Sequence, residues 1–173
     1  MPKLIENAYE TILEAAREEL KVHPDTFNMR NVAKSANMAV GTIYHYFPDK
    51  INLIASILLA DWRKDCELIQ KEMCDCKDIR DVLLLIHHLI SDYRMRNLDV
   101  FQFYKGQEVG MDYPRLHSLF VLEIESLLEE GKNVLHLPLD KEKDLMIAEM
   151  ILIESKSKDI SFDTLADMVE KTL

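Results

Sequence analysis

Residues 28–50 read Asn-Met-Arg-Asn-Val-Ala-Lys-Ser-Ala-Asn-Met-Ala-Val-Gly-Thr-Ile-Tyr-His-Tyr-Phe-Pro-Asp-Lys. Asn28 suits the cap of a short helix running to Ala36, because its side-chain oxygen can accept the spare N–H groups of a first turn. Asn37 tolerates the left-handed conformation in which helices end. A second short helix fits Val40 to Tyr46, and Phe47-Pro48-Asp49 breaks it. Two short helices joined by so brief a turn have helix-turn-helix spacing. Val32 and Ala33 point inward, and Ala36, Met38 and Ile43 are expected to complete a small core with Ile12 and Leu20. Thr42, Tyr44, His45 and Tyr46 then remain outward as polar-tipped or aromatic donors. A helix that enters a DNA major groove needs such a face.

Outward from this stretch the apolar spacing stays helical. Ile5, Ala8, Ile12, Ala15, Ala16 and Leu20 form the stripe of a first helix, which Pro2 can open and His23-Pro24 must end. A long helix is expected from Lys50 to Met73, with Ile51, Ile54, Leu58, Trp62, Cys66, Ile69 and Met73 on one side. Another follows from Ile79 to Tyr93. Residues 94–112 suggest a short helix closed by a bend at Gly106 and Gly110. A helix from Asp112-Tyr113-Pro114 to Glu130 is expected to stop at Gly131. Residues 132–140 form a loop, Lys141 to Glu154 a helix, and Ser161 the cap of a last helix. The fold class is therefore all-α, with about nine helices and no strand.

The chain has 173 residues and a net charge of −10. Residues 1–50 hold six Lys/Arg against seven Asp/Glu, so the acidity lies almost wholly in the remainder. Bulk coating of nucleic acid is excluded, while a few placed cations near the N-terminus still permit specific binding. Cys66, Cys74 and Cys76 have no disulfide-framework spacing. The first residues lack a secretory pattern, and no apolar run is long enough to span a membrane. The expected location is cytoplasmic.

Gly41-Thr42-Ile43-Tyr44-His45-Tyr46-Phe47-Pro48-Asp49-Lys50 resembles the signature of TetR-type (TetR/AcrR-like) transcriptional regulators, and Asn28 to Ala33 resembles that family's second helix. The resemblance covers roughly residues 5–58. It implies a three-helix DNA-binding domain over 1–49 and a helical effector-binding and dimerisation domain over 50–173. It further implies that Arg30, Gly41, Thr42, Tyr44, His45, Tyr46 and Lys50 meet the DNA. Arg30 and Thr42 would reach backbone or base edges, and Tyr44 and Lys50 would reach phosphate. Gly41 would allow close backbone approach. Two positions depart from the family pattern. Asn37 stands in for the usual turn glycine, and Ala39 lacks a hydroxyl to cap the next helix, at a cost of about 0.5–2 kcal/mol. Phe27 takes the packing role of the aromatic that follows the family's first helix.

The sensor is expected among aromatics and methionines spread over several helices, with Trp62, His88, Phe103 and Tyr104 as effector contacts. A homodimer is expected through residues 115–131 and 141–155, where Leu119, Leu122, Leu127, Ala148, Ile151 and Leu152 exceed one core stripe. The partners are double-stranded operator DNA and a small-molecule effector, with no membrane. No cofactor, catalytic group or metal site is expected. The adjacent pair His87-His88 points about 100° apart on a helix and cannot share a metal as an i,i+4 pair does. Cys66 falls on an apolar stripe, and acidic neighbours discourage a thiolate at Cys74 and Cys76. No glycine-rich phosphate loop or nucleophile motif occurs, so the chain reads as no enzyme. The alternatives are a thiol- or metal-responsive regulator and a protein–protein adaptor that has lost operator binding.

Overall fold

A computed structural model describes residues 7–98, 100–101, 113–155 and 161–172, with backbone only at 113–115. The described residues form eight α-helices and no strand. They are α1 (Ala8–Val22), α2 (Met29–Ser35), α3 (Val40–Tyr46), α4 (Lys50–Glu72), α5 (Ile79–Arg96), α6 (Tyr113–Val134), α7 (Lys141–Glu154) and α8 (Phe162–Glu170). Short 3-10 turns follow α1 at Pro24–Thr26 and α4 at Met73–Asp75. The all-α class is as expected. Pro2, Ile5 and the bend read at Gly106 and Gly110 lie outside the described residues.

The chain divides into two compact units. The first comprises Met1–Asp61 with Asn97–Met111, the second Trp62–Arg96 with Asp112–Leu173. In the first unit α1 packs on α2 and α2 on α3. Ile12, Leu13, Ala16, Val32, Ala33, Ile43, Phe47, Leu53 and Ile54 are buried there. Ala36 and Met38, expected in the same core, are only half-buried at its rim. Arg17 Nη2 lies 2.6 Å from Asp61 Oδ1, an ion pair between α1 and α4.

In the second unit α5 packs against α6 and α8, and α7 packs against both α6 and α8. Apolar burial supplies the core through Trp62, Val82, Leu83, Ile86, Ile124, Leu128, Ala148 and Ile151. Charged groups are buried as well. Lys132 Nζ pairs with Asp144 Oδ1, with side chains 1% and 2% exposed. The buried carboxylate of Glu154 lies 2.9 Å from His87 Nδ1. At the surface Arg80 bridges α5 to three carboxylates of α8, those of Asp163, Asp167 and Glu170.

Two sequence readings are corrected. Gly131 does not end α6, which continues to Val134. A Cβ at Gly131 would lie 2.4 Å from Val82 Cγ1, so the glycine lets α5 and α6 approach closely. The helix ends instead through His136, whose φ is 56°, with the Leu137 N–H donating to the Lys132 carbonyl at 2.9 Å. That is the six-to-one bond of a Schellman ending, with histidine where glycine is usual. The second correction concerns the apolar surplus on the late helices. Leu127, Ala148, Ile151 and Leu152 are buried within the chain itself. Stripe counting could not separate them from a surface, because α6 and α7 each touch two other layers.

Candidate nucleic-acid interface

The α2–α3 unit is fixed at both ends by local chemistry. Asn28 Oδ1 accepts the Arg30 and Asn31 N–H groups at 3.0 Å each, satisfying the first turn of α2. At the other end Asn37 adopts φ 52°, and the Met38 N–H donates to the Ala33 carbonyl at 2.9 Å. The turn glycine is therefore replaced without losing the turn. Ala39 occupies the cap position of α3 and makes no side-chain cap bond, as the sequence implied.

Of α3, only Ile43 is buried. Gly41, Tyr44, His45 and Tyr46 are exposed and Thr42 is half-buried. Arg30 is exposed near the start of α2. These residues are thus open to solvent, in whole or in part. Lys50 begins α4 half-buried, its ammonium 6.0 Å from the centre of the Phe27 ring. Burial lowers its pKa from the ordinary lysine value. Phe27 is itself buried, in keeping with the packing role read for it.

Three supports of this surface were not read from the sequence. Tyr9 of α1 stacks at 5.2 Å on Phe47 and 6.5 Å from Tyr46, bracing the end of α3. The buried Glu19 accepts from Asn31 Nδ2 at 2.9 Å, locking α2 to α1. Asp49 caps α4, accepting the Asn52 N–H at 2.8 Å. Only the last had a local signal, an Asp before a helical run. The other two join residues far apart along the chain.

A Cβ built at Gly41 meets no protein atom within 4 Å. The chain's own packing therefore makes no demand for glycine there. Residues 12–57 match the family model described as bacterial regulatory proteins, tetR family. This stretch is a TetR-type DNA-binding domain. A 40-residue segment is 42% identical to the HTH-type transcriptional repressor KstR of Rhodococcus jostii, covering 23% of this chain and 19% of that repressor. The fold extends further than the sequence match. A TetR transcriptional regulator from Rhodococcus sp. RHA1 aligns over 95% of this chain and 92% of its own, with TM-score 0.63 and 17% identity. The fatty acid degradation regulator FadR of Bacillus halodurans aligns over 94% and 96%, with TM-score 0.51 and 20% identity. TetR-type domains are DNA-binding modules of regulators and not enzymes.

Of the four expected effector contacts, two fall among the described residues. Trp62 is buried and His88 is exposed. Phe103 and Tyr104 lie outside the described residues. Trp62 instead packs edge-on against Tyr93 and Phe120, with ring centres 5.2 Å away in each case. Cys66, one turn further along α4, is buried, and its thiol is pushed up to about 12 by burial and by the charges of Glu123 and Asp65. Burial, then Asp81, Asp75 and Asp78, likewise raise Cys76. No helix is long and apolar enough to cross a membrane, among the described residues.

Proposed function

We infer that the chain is a ligand-responsive transcriptional repressor that binds operator DNA as a homodimer in the cytoplasm. Residues 1–49 bind DNA, and residues 50–173 sense the effector and dimerise. The observation that carries the DNA reading is Gly41: an exposed glycine within a helix, not required by any neighbour, three and four residues before the exposed Tyr44 and His45 and so on their side of the helix. Glycine weakens a helix, and its retention suits a backbone that must approach an external partner. Arg30, Thr42, Tyr44 and Lys50 supply phosphate or base-edge contacts beside it, and His45 and Tyr46 complete the groove-facing side.

Repression is supported by the 40-residue match to a repressor. The dimer reading keeps its two segments, 115–131 and 141–155, with a revised set of residues. Leu122, Met146 and Ile153 are 51%, 65% and 49% exposed on α6 and α7, a cost that a two-fold partner would relieve. Two recognition helices must then meet successive major grooves roughly 34 Å apart. An effector that favours a different spacing weakens operator binding by its differential affinity for the two forms. Trp62 is its anchor in the sensor.

The test is binding of the full chain to DNA from upstream of its own gene, with light scattering on the same sample. A dimer that protects a two-fold site against excess unrelated DNA supports the reading. A monomer at micromolar concentration removes the dimer, and binding indifferent to sequence and salt removes the operator.

A further inference from the structure

Trp62 is the only tryptophan of the chain and is 1% exposed. Its indole nitrogen is buried with no hydrogen-bond partner. Indole N–H is a donor only, and buried donors nearly always find an acceptor. The edge-on contacts with Tyr93 and Phe120 fix the ring without supplying one, since both are ring-to-ring contacts. Trp62 therefore offers a desolvated donor beside aromatic surface.

The local charge restricts what can answer it. Asp65 and Glu123 place carboxylates beside this stretch of α4 and α6. Two cations are already engaged with them: Arg63 Nε lies 2.9 Å from Glu123 Oε1, and Arg96 pairs with Asp65. The Cys66 thiol is raised first by burial and then by the charges of Glu123 and Asp65. An anionic ligand would be repelled by those two carboxylates.

We propose that Trp62 is the specificity-determining donor of the effector site, and that it selects uncharged, largely apolar ligands carrying an oxygen acceptor such as a ketone. The inference rests on the effector-responsive reading and adds the ligand class. A single hydrogen bond between neutral groups in a buried site corresponds to roughly tenfold in affinity.

The test uses three aromatic probes: acetophenone and ethylbenzene, which match in shape, and 4-ethylbenzoate, which adds a carboxylate to the latter. Each is titrated into the full-length protein while the lone indole N–H resonance and Trp62 fluorescence are followed. Acetophenone is expected to shift the indole N–H resonance and to bind about tenfold tighter than ethylbenzene, with 4-ethylbenzoate weakest. Trp62→Phe keeps an aromatic ring and deletes the donor, so the acetophenone preference should fall to about one. Equal binding of acetophenone and ethylbenzene, tighter binding of the benzoate, or no change of the indole resonance with any probe would overturn the proposal. Operator binding is measured separately without probes. Its failure would remove the regulator reading, whereas the probe series alone decides the role of Trp62.

Discussion

Gly41 and Gly131 both sit inside helices, for opposite reasons. At Gly131 a Cβ would strike Val82 at 2.4 Å, and at Gly41 it would strike nothing. Gly131 serves the interior, whereas nothing in the interior calls for Gly41. The surrounding regions follow the same division. The α2–α3 unit fully buries only apolar side chains and leaves its polar ones in solvent or half-buried, with Asn31 alone tied inward to Glu19. The second unit buries Lys132, Asp144, Glu125 and Glu154 among its helices. Where the polar groups face outward they are free for a partner; where they face inward they hold helices in register.

Substitutions can break or sharpen this contrast. Lys132→Met should have the largest effect, because it strands the Asp144 carboxylate in the interior. The expected loss is about 3–5 kcal/mol in urea unfolding, and a Lys132→Met, Asp144→Leu double variant should recover most of it. Gly131→Ala should cost about 1–3 kcal/mol through overpacking, and Val82→Ala should relieve part of that cost. Asn28→Ala removes the α2 cap and should lower stability by about 1 kcal/mol. Gly41→Ala should leave stability unchanged or raise it by up to about 1 kcal/mol, while operator affinity falls. If Gly41→Ala destabilised the protein and spared DNA binding, the contrast between the two glycines would collapse.

The α2–α3 surface was legible because its signals are local. A cap at Asn28, a left-handed residue at Asn37 and a break at Pro48 lie within one short stretch, and each acts on its immediate neighbours. Gly131 misled for a related reason. A glycine late in a helix ordinarily marks its end, and only the position of Val82, 49 residues earlier in the chain, reveals the close approach. The buried pair Lys132–Asp144 and the half-buried pair His87–Glu154 were equally invisible, since charged residues in a sequence read as solvated faces. The brace from Tyr9 to Phe47 depends on how α1 crosses α3, which no spacing rule supplies. The effector contacts were the least legible part. Aromatic content indicates a core or a pocket alike, and Trp62 is distinguished only by its unanswered N–H.

The central claim is that residues displayed around α3 and at the start of α4 make the operator contacts. It is tested most directly by the affinity of a Tyr44→Ala, Lys50→Ala double variant for DNA upstream of the protein's own gene. Unfolding of the same sample should first show a stability near that of the parent. We expect operator affinity to fall on the order of 100-fold, from two lost contacts to charged phosphate. Full sequence-specific affinity in the folded double variant would contradict the account.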